Sequence, residues 1–170
     1  MVYINKNEAF TRLNNIFNNK QAGFEYLRNT LIFERMLDEV ITFNRKINWE
    51  SNSANLKLVT TAEEFIKICN LRSEIYGNLG YQKEFPDFLP NMNFDFYDLN
   101  SAIIYNLTNS EITATCRLVF DSDKKLPIEE KLDLSSIRSK FQNIAEVSRL
   151  MVKKEQKGLR RGRGRVRWGR

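Results

Sequence analysis

Two runs joined by three residues constrain this chain more than any other feature: "SAIIYNL" (101–107) and "EITATCRLVF" (111–120), with "TNS" between them. Both runs are rich in apolar and β-branched residues, and so short a connection can only be a hairpin. An antiparallel sheet is therefore expected, with the other elements covering it. In the second run, Ile112, Ala114, Cys116, Leu118 and Phe120 share one face, while Thr113, Thr115 and Arg117 share the other. That polar face is either solvated or part of a charged site.

Further elements flank the hairpin. "LKLVT" (56–60) and "IAEVSRLMV" (144–152) read as strands. Thr61 and Glu64 stand in capping-box spacing and open a helix that runs to about Tyr76, where "GNLG" ends it. Residues 77–100 form a long loop with Pro86 and Pro90, a length that compact domains keep for a functional reason. Residues 128–141 suit a short polar helix or turn. Upstream, residues 8–45 read as helical. Phe10, Leu13, Ile16 and Phe17 keep a 3.6-residue period, "NNKQAG" breaks it, and a second run carries Phe24, Leu27, Leu31, Met36, Val40 and Phe43. "NWESNSAN" (48–55) is a polar connector.

The length of 170 residues suits one domain, and 42% apolar residues suffice for a core. There is no histidine, which excludes histidine-based triads, bases and metal ligands. Cys69 and Cys116 are far apart at apolar positions, suiting reduced core thiols, and their spacing suggests no zinc site. No metal is expected. No apolar run has bilayer-spanning length, and "MVYINKNEAF" has no signal-peptide layout, so the expected compartment is the cytoplasm. The excess of 27 basic over 21 acidic residues comes entirely from six arginines in residues 160–170. Without them, the other 21 basic residues balance the 21 acidic ones.

Several charged residues stand where charge is costly. On the helix 62–76, Phe65, Ile68, Cys69, Ile75 and Tyr76 define an apolar face, and Arg72 lies on it, seven residues from Phe65 and four from Ile68. Such an arginine either snorkels to the helix edge or is buried against carboxylates. Asp95 and Asp98, three apart before a strand, are candidate partners, with turn capping as the plainer role. Glu146 and Arg149 fall inside an apolar strand. Their odd spacing sends them to opposite faces unless a bulge intervenes. Ile144, Ala145, Val147, Leu150, Met151 and Val152 are expected to bury Glu146, where it could serve as a base.

The series Arg72–Tyr76, Asp95–Asp98, "RLV" from Arg117 and "EVSRL" from Glu146 resembles the acyl-homoserine-lactone synthases and the related N-acyl amino acid synthases, acyltransferases of the GNAT superfamily. "ATCRLV", "LPIEE" and "AEVSRLMV" are most similar to the N-acyl amino acid synthase type, including the group associated with exosortase systems. The resemblance covers residues 56–159 and leaves residues 1–50 as a helical extension. It implies an α/β (α+β) fold: a mixed, mainly antiparallel sheet flanked by helices, the N-terminal portion of the GNAT fold. It implies transfer of a fatty acyl group, from acyl-CoA or acyl carrier protein, to an amino acid or similar small amine. No permanently bound cofactor is implied. Glu146 matches the strand position of a general base. Arg72, Asp95, Asp98, Arg117 and Arg149 match a charged cluster that shapes the acceptor site, with Tyr76 beside it. The tryptophan of many lactone synthases is absent from the loop 77–94, with Tyr81 or Phe85 as its stand-in.

The resemblance also expects a Q/R-x-x-G-x-G/A loop after the last strand, holding the donor's phosphates. "GLRRGRGRVRWGR" (158–170) lies there. Gly162 and Gly164 keep the G-x-G spacing, with Arg161 before them, but Leu159 holds the Q/R position. The tail is thus a degenerate phosphate loop, a nucleic-acid-binding tail, or a foreign end left by truncation or a frame change. Its abrupt Arg/Gly composition favours the last. On that reading the donor half is incomplete, and the alternatives to an active enzyme are a non-catalytic GNAT-like module and a basic-tailed binder of nucleic acid without sequence specificity.

Overall fold

The computed structural model describes residues 20–51 and 53–154. The expected elements at 8–19 and the basic tail from 155 onward lie outside the described residues, as do Arg161, Gly162 and Gly164.

Two long helices, α1 (Lys20–Arg45) and α2 (Ala62–Leu79), pack on one face of a four-stranded antiparallel sheet. Its strands are β1 (Leu56–Leu58), β2 (Ser101–Thr108), β3 (Glu111–Phe120) and β4 (Ala145–Val152), in spatial order β1-β2-β3-β4. A short helix, α3 (Ser135–Arg138), and single 3-10 turns at Phe96–Asn100 and Pro127–Glu130 complete the architecture. This α+β arrangement is consistent with a portion of the GNAT fold.

Local chemistry sets each boundary. Asn109 and Ser110 both take positive φ, 51° and 66°, as a two-residue hairpin turn requires, so β2 and β3 are joined as tightly as the sequence implies. Thr61 and Glu64 form the reciprocal capping box that opens α2. The helix continues through Gly77 to Leu79, beyond the expected stop at Tyr76. It ends at Gly80, whose φ of 76° only glycine adopts freely. At the other boundary, α1 takes in Lys20–Gly23, which the apolar period had assigned to a break. The lapse of the apolar period there was not a helix terminus.

The core joins Phe33, Met36 and Val40 of α1, Phe65, Ile68 and Cys69 of α2, Val59, Phe94, and Ile103 and Tyr105 of β2. Asn44, fully buried, ties α1 to the sheet: its Nδ2 donates to Ser101 O at 3.0 Å and its Oδ1 accepts from Ile103 N at 2.9 Å. That stretch of β2 lies beyond the reach of β1, so a side-chain amide takes the place of the missing strand.

On β3, the side facing the helices is the polar one. Thr115, Arg117 and Val119 are buried, whereas Ala114, Cys116, Leu118 and Phe120 are only partly so, and Ile112, beyond a register shift, packs against the core instead of sharing their face. Register explains it: Arg117 sits opposite Ile103 and Thr115 opposite Tyr105, and both β2 residues point into the helical core. The apolar side chains of β4 also differ from expectation. Of those thought to bury Glu146, only Met151 is buried, while Val147, Leu150 and Val152 are exposed on the sheet's opposite face.

Candidate active site

The site lies where α2, the 3-10 turn at Phe96–Asn100, β3 and β4 meet. Arg72 reaches it from the buried face of α2, alongside Phe65, Ile68, Cys69 and Leu71, with Ile75 less buried than its spacing implies. Arg72 is completely buried, so the snorkelling alternative is overturned. Its Nη1 donates to both oxygens of Asp98, at 2.9 and 3.1 Å. Its Nε and Nη2 have no partner among the described residues.

From Asp98 the ion pairs continue outward. Arg117 of β3 bonds Asp98 at 3.1 Å and also pairs with Asp95. Asp95 then meets Arg149 of β4 at 2.7 Å. The result is one chain, Arg72–Asp98–Arg117–Asp95–Arg149, with three guanidiniums against two carboxylates. Capping and ion pairing coincide here. Asp95 caps the 3-10 turn through Tyr97 N, and Asp98 accepts from Asp95 N, so the turn itself fixes the spacing of the two acids.

Arg149 joins the chain through a bulge. Ser148 pairs with Arg117 and Met151 with Thr115, leaving Arg149 and Leu150 opposite the single residue Cys116. Arg149 has a φ of 53°, and the irregularity turns its side chain to the helix side, the arrangement its odd spacing from Glu146 required. The guanidinium then lies 5.1 Å from the Tyr76 ring and 4.7 Å from the Phe85 ring, and donates to the Tyr76 hydroxyl at 2.5 Å. The Tyr76 and Phe85 rings stack at 4.6 Å. Phe85 thus brings the loop after α2 onto the site, while Tyr81 is exposed and makes no such contact.

Glu146 stands apart from the ion-pair chain. It pairs with Val119 on the helix side of β4, and its Oε2 accepts from Ile128 N at 2.8 Å. The next turn adds Tyr97, whose hydroxyl donates to Glu130 at 2.6 Å. That bond, with some burial and the nearby charges of Glu130, Asp95 and Glu146, pushes the Tyr97 hydroxyl up to about 12, so it remains a proton donor. Three participants escaped the sequence reading: Ser148, which accepts from Arg117 Nε at 3.0 Å, Tyr97 and Glu130. Ser148 could have been found, because it stands two residues from Glu146 on the same face. Glu130, brought in by a loop, left no such signal.

Electrostatics fix the ionisation of Asp95. Burial by itself would raise the Asp95 carboxyl, but Arg117 and Arg149 outweigh it and hold the group down to about 2. A carboxylate lowered on folding stabilises fully above its ordinary value of 3.8 and loses that contribution as pH falls through about 2. The contribution is about 2 kcal/mol. Denaturant unfolding should therefore show Asp95→Asn less stable than the unsubstituted protein by about that amount at pH 6, with the gap closing toward pH 2. A gap that stays constant with pH would show that Asp95 is not ionised in this network.

A family model described as N-acyl amino acid synthase FeeM matches residues 67–163, more than half of the chain. The chain belongs to that family. The matched span holds every residue of the ion-pair chain and also Glu146. The protein is thus of the N-acyl amino acid synthase type, an acyltransferase class. The chain matches no curated protein and no solved structure. Among the described residues no helix is long and apolar enough to cross a membrane, and no three His, Cys, Asp or Glu side chains are grouped to hold a metal ion.

Proposed function

We propose that the protein transfers a fatty acyl group from acyl-CoA or acyl carrier protein to the amino group of an amino acid, and that the bulged end of the ion-pair chain is the acceptor side of the site. The observation that carries this reading is the surplus positive charge. Three arginines face two aspartates, and the exposure of the arginines rises along the chain, from none at Arg72 to 2% at Arg117 and 10% at Arg149. The surplus therefore meets solvent at Arg149, whose planar fork suits a carboxylate such as that of an amino acid. The stacked Tyr76 and Phe85 rings lie beside the fork, the Tyr76 hydroxyl accepts from it, and Asp95 holds one edge.

In the proposed reaction the neutral amine attacks the thioester carbonyl. The new C–N bond forms, the C–S bond breaks, and the thiolate leaves to take up a proton. Glu146 accepts the amine's proton, directly or through water. Among the described residues only Oε2 of Glu146 is engaged, by Ile128 N, which orients the carboxylate and leaves Oε1 available. Backbone N–H groups beside the bulge at Arg149 polarise the carbonyl. The donor is a substrate, and no bound cofactor takes part.

Mass spectrometry of lipid extracts from cells making the protein tests this. Long-chain N-acyl amino acids absent from control cells are expected, and they should disappear with Glu146→Gln. Extracts indistinguishable from controls would refute the assignment.

A further inference from the structure

Residues 121–144 run from the end of β3 to the start of β4 and bring two groups to the site. Ile128 N donates to Glu146 Oε2 at 2.8 Å, and Glu130 accepts from the Tyr97 hydroxyl at 2.6 Å. Both groups stand on the single 3-10 turn Pro127–Glu130. Little burial holds that turn in place. Among residues 121–144 only Leu126 is buried, and Leu132, Ile137 and Phe141 are exposed. The tie is polar instead. Arg138, at the end of α3, uses all three guanidinium nitrogens. Its Nε and Nη2 donate to the two oxygens of Glu129 at 2.8 and 2.5 Å, and its Nη1 and Nη2 donate to the two oxygens of Asp121 at 2.6 and 2.7 Å. Bidentate pairs on two edges fix direction as well as distance, which a single exposed ion pair does not.

The places of the two carboxylates give this double fork its role. Glu129 follows Ile128 directly, and its Oε2 also accepts from Leu126 N at 2.8 Å, so it closes the turn from within. Asp121 lies two residues beyond Val119, the partner of Glu146 in the sheet, and Asp121 N donates to Ile144 O at 3.2 Å. Arg138 therefore fastens the residue beside the donor of the Ile128–Glu146 bond to the strand end beside its acceptor. Among the described residues the Arg138 side chain bonds only Glu129 and Asp121, and neither Glu146 nor the ion-pair chain. We propose that Arg138 is a positioning residue for Glu146: it holds the turn at 127–130 so that Ile128 N sets the direction of the Glu146 carboxylate. This inference rests on the proposed role of Glu146 as the base.

Amide hydrogen exchange and steady-state kinetics of Arg138→Met in the full chain test it together. Methionine fills part of the same space and removes both forks. Exchange at Ile128 N should become about tenfold faster, while exchange at Ile103 N, in the core, stays as in the unsubstituted protein. In acyl transfer kcat should fall about tenfold, with KM for donor and acceptor unchanged. Arg138→Lys, which reaches one carboxylate at a time, carries the same readouts if the methionine variant does not fold. In a Glu146→Gln background the same substitution should remove little further activity, because the group it orients is gone. Unchanged exchange at Ile128 N would overturn the proposal, and so would a kcat equal to that of the unsubstituted protein. A loss of kcat just as large in the Glu146→Gln background would overturn it too, since Arg138 would then act elsewhere. Absence of acyl transfer by the unsubstituted protein, by contrast, would refute the reaction proposed above, and this inference with it.

Discussion

Replacing Asp98 with alanine is expected to destabilise the protein by about 3–5 kcal/mol, the cost of stranding a buried charge. Among the described residues, every hydrogen bond of the Arg72 side chain goes to this one carboxylate, and its other two nitrogens have no partner. Without Asp98, a fully buried guanidinium has nothing to compensate it, and Arg117 and the backbone N–H of Asp95 each lose an acceptor. Such a loss is a large share of the roughly 5–15 kcal/mol that holds a domain together. The reciprocal change should be milder. Arg72→Met fills similar space without charge and leaves Asp98 bonded to Arg117 and Asp95 N, so a loss of about 1–2 kcal/mol is expected. Equilibrium unfolding of the two variants decides the matter. Equal losses would mean that Arg72 is compensated by something other than Asp98.

The second large effect falls on activity alone. Glu146→Gln should lower acyl transfer by about 10²–10⁴-fold, the range of a positioned general base. Stability should hardly change, because the glutamine amide oxygen can still accept from Ile128 N, the one side-chain hydrogen bond of Glu146 among the described residues. This separates the proposed chemical role from a structural one. If the variant lost stability along with activity, Glu146 would be chiefly the clasp of the turn at 127–130. Retained activity would move the base elsewhere, with Glu130 and its partner Tyr97 the nearest alternative.

How much of this was legible in the sequence depended on whether the signal was periodic. The place of Arg72 on the apolar face of α2 follows from helical spacing, which left snorkelling or a carboxylate partner, and full burial decides for the partner. The odd interval between Glu146 and Arg149 left two outcomes, opposite faces or a bulge, and the structure has the bulge. What periodicity cannot report is which partner a charge will find. Thr115 and Arg117 read as the polar side of β3, yet that side is buried: Asp95 and Asp98 neutralise Arg117, and Thr115 donates to Ile104 O. The burial expected around Glu146 failed for a related reason. Apolar composition marks what a strand can bury, and on β4 the exposed apolar side chains face away from both helices. The bond from Ile128 N to Glu146 was illegible in principle, since a backbone donor leaves no mark on the sequence. The stacking of Phe85 on Arg149 depends on the path of a loop, though the sequence did propose that residue for the site.

The central claim is that the ion-pair chain and the acyl transfer are parts of one site, joined at Arg149. Its most direct test is kcat/KM for the amino acid acceptor, compared between the unsubstituted protein and Arg149→Lys. Lysine keeps the charge but loses the planar fork that Asp95 and Tyr76 engage and the face that lies against Phe85. The account predicts a fall of about 10²-fold carried mainly by KM for the acceptor, with KM for the thioester donor unchanged. An acceptor KM equal to that of the unsubstituted protein would contradict it.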